Sequence, residues 1–243
     1  MSFGNLYCAG VTPACRWACK FLSEAGICIS DAPGWDTGHL LLDVPSFRPG
    51  LWKEESLDTL LSSLPNDIII WGGNLTHPRL EPYKKFDLLK DEAYLLENAN
   101  ITADCTIPIA ESAVSRPWPE TSALVIGWGR IGKFLSAKLQ NLGCDVTIAS
   151  RNPYHRCEAA SLGLHTKETL EGTLEFDLII NTAPAYVLSS REREASVKID
   201  LASIRGIAGD DVIWARGLPG KYAPERSGKL IADTVLRLSR EVC

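Results

Sequence analysis

The sequence lacks any long run of apolar residues. No stretch of about 18 consecutive apolar residues occurs, which excludes a transmembrane helix. The N-terminal segment has neither the basic region nor the apolar core of a secretory signal. These two absences predict a cytoplasmic protein with no membrane partner.

Positive charge is also scarce. The 25 lysines and arginines are outnumbered by 30 aspartates and glutamates, and a net charge of −5 gives nucleic-acid binding no electrostatic support. The deficit lies in residues 1–110, which hold 8 basic and 14 acidic side chains, against 17 and 16 in residues 111–243. The second half of the chain is therefore better suited to a polyanionic cofactor.

Histidine is sparse and cysteine is not. The four histidines are too scattered to indicate a Ser-His-Asp or Cys-His arrangement. Cys15 and Cys19 lie four residues apart and could bind zinc with Cys8 or His39, but the spacing matches no familiar zinc site. We therefore expect buried, reduced thiols and no metal site. The remaining cysteines are Cys28, Cys105, Cys144, Cys157 and Cys243.

A glycine-rich segment follows a short apolar run in the middle of the chain. Residues 123–126 predict a buried strand, GWGRIG matches the pattern G-x-G-x-x-G, and KFLSAKLQNLG after it predicts a helix. In this context the glycines permit a tight turn, main-chain approach to a diphosphate and close helix packing. The N-terminus of the helix favours phosphate. The alternative is a glycine-rich turn of another α/β unit. The predicted dinucleotide-binding residues are Gly127, Trp128, Gly129, Arg130, Ile131 and Gly132.

The end of the next predicted strand indicates which dinucleotide is bound. Residues 144–149 predict that strand, and Ser150, Arg151 and Asn152 follow it. An NAD site usually has a carboxylate here to hold the ribose 2′-hydroxyl, and this sequence has none. A hydroxyl and a guanidinium suit a 2′-phosphate, so the sequence predicts NADP(H) rather than NAD(H). The alternative is that Arg151 is a solvated loop residue.

Strand and helix patterns alternate along the chain, which is typical of an α/β protein. Residues 1–110 predict a smaller α/β domain, and residues 111–222 predict a doubly wound, mostly parallel Rossmann sheet of five strands. Residues 223–243 predict a C-terminal helix that could pack back on the first domain. Within the second domain, helices are predicted near residues 154–162, 167–172 and 187–195.

Three further strand ends should surround the nicotinamide. In open parallel sheets, ligands bind outside the carboxyl ends of the strands. Ordinary turn chemistry is the alternative for each residue, since Asn, Pro and Gly are common in loops. The predicted cofactor-binding residues at these ends are Asn181, Thr182, Ala183, Pro184, Leu201, Ala202, Ser203, Gly217 and Pro219.

Few residues are candidates for moving a proton. His77 follows a predicted strand end, Asp104 lies between the two domains, and Ser203 follows another strand end. A loop histidine in water is the alternative for His77. The sequence does not identify a general base.

Five stretches of the chain carry a family resemblance: LVIGWGRIG, INTAPA, IDLAS, GLPGKYAPERSGKLIAD and the earlier DLLKDEAYLLENANITADCTI. With them the chain resembles the family formed by the A subunits of dipicolinate synthase from spore-forming bacteria. The resemblance is clear over residues 84–240 and loose over residues 1–83, where the pattern suggests that one βα piece of the family is missing.

The resemblance implies a flavodoxin-like N-terminal domain, an NADP-binding Rossmann domain and a role in sporulation. The family oxidises a dihydrodipicolinate precursor to dipicolinate, and hydride passes to NADP⁺ as the ring becomes aromatic. The resemblance also implies a flavoprotein-like B subunit as a partner, and we further expect the chain to self-associate.

Two positions depart from the family pattern and leave the function open. The family has Arg after D-L-A-S and Lys after A-P, where this chain has Ile204 and Glu225. A dicarboxylate substrate needs cations, because a carboxylate left unpaired in a closed site costs several kcal/mol. Arg205, Lys221 and Arg226 are the candidates to replace them. The alternatives are another NADP-dependent keto or hydroxy acid reductase, or a non-catalytic NADP-binding subunit of a complex.

Overall fold

The computed structural model describes residues 4–47, 54–170, 175–188 and 197–240. The chain divides into two compact units, Met1–Asn98 with Pro219–Cys243 and Ala99–Leu218. The domain boundaries at residues 110 and 222 stay a prediction, because compactness alone does not define a domain that folds by itself.

The strands are short, as is usual for parallel sheets with helical crossovers. Those in the described residues are β1 (Asn5–Cys8), β2 (Ile29–Ser30), β3 (Thr37–Leu41), β4 (Ile69–Gly72), β5 (Lys84–Asp87), β6 (Ser122–Ile126), β7 (Asp145–Ala149), β8 (His165–Lys167), β9 (Leu178–Asn181), β10 (Val197–Asp200) and β11 (Val212–Trp214).

Helices separate several of the strands along the chain. Those in the described residues are α1 (Pro13–Glu24), α2 (Glu54–Ser62), α3 (Glu92–Ala113), α4 (Arg130–Asn141), α5 (Pro153–Ser161), α6 (Leu218–Tyr222) and α7 (Pro224–Arg240), with short 3₁₀ turns at Pro78–Leu80, Leu88–Lys90 and Trp118–Glu120. None of these helices combines the length and the apolar character that a membrane span requires.

The sheet of the first unit has the order β2-β1-β3-β4-β5, and all its neighbours pair in parallel. This is the flavodoxin-like order 2-1-3-4-5. The expected α/β fold with a flavodoxin-like first part is therefore confirmed. No strand of that order is missing from the described residues, although the sequence pattern suggested a shortened unit.

The sheet of the second unit has the order β11-β10-β9-β6-β7-β8, again with every pair parallel. Counted from β6, this is the doubly wound Rossmann order 3-2-1-4-5-6. The sheet has six strands instead of five, because β8 pairs with β7 where a helix was predicted to begin at residue 167. The predicted helix at 187–195 falls almost wholly outside the described residues.

The helix α7 packs along α1 in the first unit. Gly228 lies at this crossing, and its neighbours there are Ala14, Trp17 and Ala18 of α1. Ile231 and Val235 are buried in the core that α7 shares with α1 and the sheet. The buried side chains of α7 therefore include apolar residues that face the core of the first unit.

A histidine is buried in the same unit. His39 is 9% exposed, and its Nδ1 accepts a hydrogen bond from Trp71 Nε1–H at 3.1 Å. Trp71 in turn stacks on Phe86 with ring centroids 4.6 Å apart. Burial lowers the pKa of His39 from its ordinary 6.5 to about 4, since the charged imidazolium would lose its hydration. His39 is therefore a neutral core residue at pH 7.

The stability of the protein is expected to fall as the pH drops from 6.5 towards 4. In that window the unfolded chain binds a proton at His39 that the native protein does not, so stability rises with pH and is fully present above 6.5. The free energy of unfolding is expected to be about 3 kcal/mol lower below pH 4 than above pH 6.5. Urea unfolding of the wild type and of His39→Gln, measured across this range, tests it.

The matched control for this prediction is His165→Gln, because the His165 side chain is 75% exposed. His39→Gln should flatten the pH dependence that His165→Gln leaves intact. Equal pH profiles for all three proteins would contradict the assignment of the acid sensitivity to His39.

Candidate dinucleotide-binding site

The strand β6 ends in a turn that only glycine can make. Gly127 has φ = +100°, in the region that other residues rarely adopt. A Cβ there would also lie 2.7 Å from Thr182 Oγ1. The Gly127 amide donates to the Ala149 carbonyl at 3.0 Å, which ties the turn to the end of β7.

The other two glycines of the pattern have opposite surroundings. A Cβ on Gly132 would collide with the Gly127 carbonyl oxygen and lie 3.2 Å from Thr182 Oγ1, so α4 packs directly under the turn. A Cβ on Gly129 would meet nothing within 4 Å. Gly129 is the N-cap of α4 and supplies no side-chain cap, so the first N–H groups of the helix lack a side-chain acceptor at the cap. The open space and these donors fit a diphosphate.

Trp128 does not reach outward as a cofactor-binding side chain would. It is 3% exposed, and its indole N–H donates to Glu158 Oε2 at 3.0 Å. Lys133 Nζ donates to the other oxygen of Glu158 at 2.6 Å. Only the main chain of Trp128 is therefore available to a ligand. Arg130 is exposed and Ile131 is half-buried at the start of α4.

The loop after β7 has the polar character expected of a 2′-phosphate site. Arg151 is exposed, and the Ser150 hydroxyl accepts from the Asn152 amide at 3.3 Å. The Asn152 side chain caps α5 by accepting from the Tyr154 amide at 3.0 Å, so it is already engaged.

Two basic residues of this loop region were missed by the sequence analysis. Arg156 Nη1 donates to the carbonyl oxygens of Ser150 at 2.7 Å and Arg151 at 3.0 Å. His155 Nδ1 lies 3.3 Å from Ser150 Oγ. Both residues follow the capping Asn152 by about one helical turn, and this spacing in the sequence could have indicated that they lie near the loop. Arg156 holds the main chain from which Arg151 projects.

The polar side chains after β9 make hydrogen bonds within the protein, and their predicted part in binding stays a prediction. Asn181 is fully buried, donates to Asp200 Oδ1 at 3.0 Å and to the Ala183 carbonyl at 3.1 Å, and accepts from the Ala183 amide. Thr182 Oγ1 donates to the Ile126 carbonyl at 2.9 Å. The side chains of Asn181 and Thr182 shape the loop, in which Ala183 is half-buried and Pro184 is exposed.

Asp200 is the buried centre of the next strand end, and the sequence analysis did not single it out. Besides Asn181, its carboxylate accepts from the amides of Ala202 at 3.0 Å, Gly206 at 2.6 Å and Ile207 at 2.9 Å. A carboxylate at the end of a strand of buried residues was the available signal, since a buried charge needs several donors. Leu201 and Ala202 are buried with it, whereas Ser203 is exposed.

The last predicted strand end is another turn that favours glycine. Gly217 has φ = +65°, and a Cβ there would meet nothing within 4 Å. Pro219 is buried in α6, which starts directly after the turn. The main chain at Gly217 is therefore open to a ligand.

The candidate cations for a carboxylate substrate have different surroundings. Arg205 donates to the Gly209 carbonyl, and Arg226 forms an ion pair with Glu97 at 3.0 Å. Lys221 is exposed on α6. Ile204, which stands where the family has Arg, is 64% exposed.

The three proton-handling candidates do not form one constellation in the described contacts. His77 Nδ1 accepts from the Arg79 amide at 3.3 Å, and its ring stacks on Phe47 with centroids 5.0 Å apart. Asp104 forms an ion pair with Lys138 at 2.7 Å. Lys138 is eight residues along α4 from its start, about 12 Å from the glycine loop. Asp104 is therefore far from the glycine loop, and Ser203 is the candidate at a strand end of this unit.

The cysteines in the described residues are all free thiols, but not all are buried. Cys28 and Cys157 are exposed, which corrects that part of the prediction. At the end of β1 the Cys8 thiol donates to the Gly10 carbonyl at 3.6 Å, and the Cys15 thiol donates to the Leu42 carbonyl at 3.7 Å. No group of three potential metal ligands occurs among the described residues.

The chain is similar in sequence to a known protein. It is 27% identical over 174 residues to the A subunit of dipicolinate synthase from Bacillus subtilis, which covers 65% of this chain and 59% of that protein. The chain thus spans less than two thirds of its curated relative's length. No family model matches the sequence.

Solved structures share its fold over nearly the whole chain. The structure of the dipicolinate synthase A subunit from Bacillus halodurans superposes with a TM-score of 0.81 and 19% identity, covering 97% of each chain. The corresponding structure from Bacillus subtilis superposes with a TM-score of 0.80 and 20% identity, covering 100% of this chain and 97% of that one. The structure of a transhydrogenase from Sinorhizobium meliloti superposes with a TM-score of 0.73 and 15% identity. It covers 98% of this chain and 94% of the transhydrogenase chain.

Proposed function

We propose that this chain, which resembles the A subunit of dipicolinate synthase in sequence and in fold, is an NADP-dependent oxidoreductase. The glycine loop is the observation that carries the proposal. Gly127 and Gly132 are required by the turn itself, whereas Gly129 leaves open space beside the uncapped start of α4. A glycine that the fold does not need is explained by a ligand that the main chain must approach closely.

The loop after β7 supports NADP(H) as the cofactor. Arg151 is exposed, and within the described residues its guanidinium has no recorded hydrogen bond or ion pair, so it can clasp a 2′-phosphate. Arg156 engages the two carbonyl oxygens that would otherwise repel the phosphate. No carboxylate occurs at Ser150, Arg151 or Asn152 to hold a free 2′-hydroxyl.

The nicotinamide, when bound, would accept the hydride, and the chain would bind, orient and shield the reactants. The amides at the start of α4 would hold the diphosphate, and Arg151 with Ser150 would hold the 2′-phosphate. The main chain at Gly217 has open space for a flat ring, and Pro184 is exposed in the loop after β9. Ser203 offers an exposed hydroxyl at the end of β10 that can pass the proton released with the hydride.

The proposed substrate is the dihydrodipicolinate precursor on which the resembling family acts. Its ring would lose one hydride to NADP⁺ and one proton as it becomes aromatic. Arg205 and Lys221 are the exposed cations proposed to hold its carboxylates, with Arg226 as a third that is also paired with Glu97. Catalysis is followed by the absorbance of the reduced nicotinamide, with and without a partner B subunit. Self-association and residence in the cytoplasm are part of the same proposal.

A second candidate substrate follows from one observation. The exposed apolar Ile204 replaces the family's cation beside Ser203. A substrate with a single carboxylate, such as a keto or hydroxy acid, needs fewer cations. A panel of such acids separates the two candidates, with keto acids screened by oxidation of NADPH and hydroxy acids by reduction of NADP⁺.

Arg151→Ala is expected to weaken NADPH binding by about 10- to 100-fold, the range for loss of a charge-assisted hydrogen bond. NADH binding should not change, because NADH lacks the 2′-phosphate. Titration calorimetry of both cofactors measures it, with Arg79→Ala as the control, since Arg79 pairs with Asp58 in the first unit. Equal affinities of the wild type for NADPH and NADH would refute the 2′-phosphate assignment.

A further inference from the structure

One carboxylate connects the glycine loop to two helices. Trp128 stands between Gly127 and Gly129, and its buried indole donates to Glu158 of α5 at 3.0 Å. Glu158 also accepts from Lys133 of α4 at 2.6 Å. Lys133 Nζ lies 5.8 Å from the centroid of the Trp128 ring. The hydrogen bond from Lys133 lowers the pKa of the Glu158 carboxyl most, and the bond from Trp128 lowers it further. The carboxylate is therefore ionised at pH 7.

This connection restrains a segment that would otherwise be loose. Glycine on both sides of Trp128 gives the loop unusual main-chain freedom. A ligand that has to order the loop binds more weakly, because the entropy lost by the loop opposes binding. The burial of the indole and its hydrogen bond fix the position of the residue whose neighbours carry the diphosphate-facing amides. The cofactor then meets a loop that is already ordered.

The indole bond matters more here than the ion pair. The side chains of Lys133 and Glu158 are 45% and 48% exposed, and ion pairs so exposed to water contribute little. The indole is 3% exposed, so an acceptor removed from it leaves a buried donor without a partner.

We propose that Trp128 and Glu158 are positioning residues that pre-organise the glycine loop for the diphosphate of a dinucleotide. Glu158 acts through Trp128 and not by contact with the cofactor. The proposal rests on the proposed function for its ligand, but the order of the loop can be measured without any ligand.

Three variants separate the indole bond from the ion pair. Glu158→Ala and Trp128→Phe each remove the bond and should raise the Kd for NADPH about fivefold. The double variant should be no weaker than either single one, because both remove the same interaction. Glu158→Gln keeps an acceptor oxygen but loses the charge, and it should bind NADPH like the wild type. Asp145→Ala is the control, since Asp145 pairs with His165 at the opposite end of β7.

Amide hydrogen exchange of the loop in the cofactor-free protein is the second measurement. Glu158→Ala should speed exchange of the amides from Gly127 to Ile131 about fivefold, and Glu158→Gln should not. If the wild type bound no dinucleotide, the proposed function would fail while the exchange data still reported on the loop.

Three results would overturn the positioning role. The first is a Glu158→Gln variant as impaired as Glu158→Ala, because the charge and not the indole bond would then matter. The second is unchanged exchange in Glu158→Ala and Trp128→Phe. The third is a lowered unfolding temperature of these variants with the wild-type Kd for NADPH, which is the mark of a merely structural contact.

Discussion

Gly129→Ala is expected to leave the protein folded while it weakens NADPH binding about 100-fold, because a methyl group would occupy the space that the diphosphate needs. The fold tolerates the change on two grounds. The backbone of Gly129 is extended, with φ = −83° and ψ = −172°, which alanine adopts without strain. A Cβ at this position meets nothing within 4 Å. Titration of NADPH and urea unfolding of the same variant measure the two effects separately.

The neighbouring Gly132→Ala is the informative contrast. Its Cβ would collide with the carbonyl oxygen of Gly127, so α4 would have to move away from the sheet. The expected cost is about 2 kcal/mol of unfolding free energy, the usual range for an overpacked site. Gly129→Ala would speak against the dinucleotide site if it bound NADPH as the wild type does. Loss of stability in Gly129→Ala equal to that in Gly132→Ala would show that the space around Gly129 is not open.

The sequence predicted the parts of the molecule that depend on local backbone chemistry. The G-x-G-x-x-G pattern between a strand and a helix has few other physical uses, and Gly127 and Gly132 have the conformation and the close packing that it implies. The α/β architecture followed in the same way from the alternation of short apolar runs with helical periodicity. The motif resemblance pointed to the same fold, which the solved structures share.

The sequence did not show which polar side chains the fold uses for itself. Asn181 and Thr182 sit at a strand end as predicted, yet their hydrogen bonds go to Asp200 and to the Ile126 carbonyl. These partners are 19 and 56 residues away, and contacts over such separations depend on how the strands assemble. The burial of Trp128 depends likewise on Glu158, 30 residues further along.

Short edge strands were the other weakness of the sequence analysis. The strand β8 has three residues, His165–Lys167, and none of them is buried. Without a buried face it lacks the apolar pattern by which strands are recognised. Its pairing with β7 is the evidence for it, and pairing is not visible in a single sequence.

Gly228→Ala is expected to cause a large loss of stability, about 3 kcal/mol, because two helices would have to separate. A Cβ on Gly228 would lie 2.6 Å from the Ala14 carbonyl oxygen and 2.8 Å from the Ala18 amide nitrogen, and it would also collide with Trp17 Cβ. Two of these atoms belong to the main chain of α1 and the third is next to it, so no side-chain rotation can relieve the overlap. Urea unfolding, followed by circular dichroism, measures the loss.

The size of this effect follows from what α7 contributes to the first unit. Ile231, Ala232 and Val235 of α7 are buried with Leu22 and Ala18 of α1 in one apolar core. Moving α7 away to admit one methyl group loosens all of these contacts, because the helix moves as a rigid element. Gly220→Ala is the matched control, because a Cβ on Gly220 meets nothing within 4 Å. The free energy of unfolding of this variant should stay within about 0.5 kcal/mol of the wild type. If both variants were equally stable, α1 and α7 could not cross as closely as they do in this structure, and the C-terminal helix would not be part of the first unit's core.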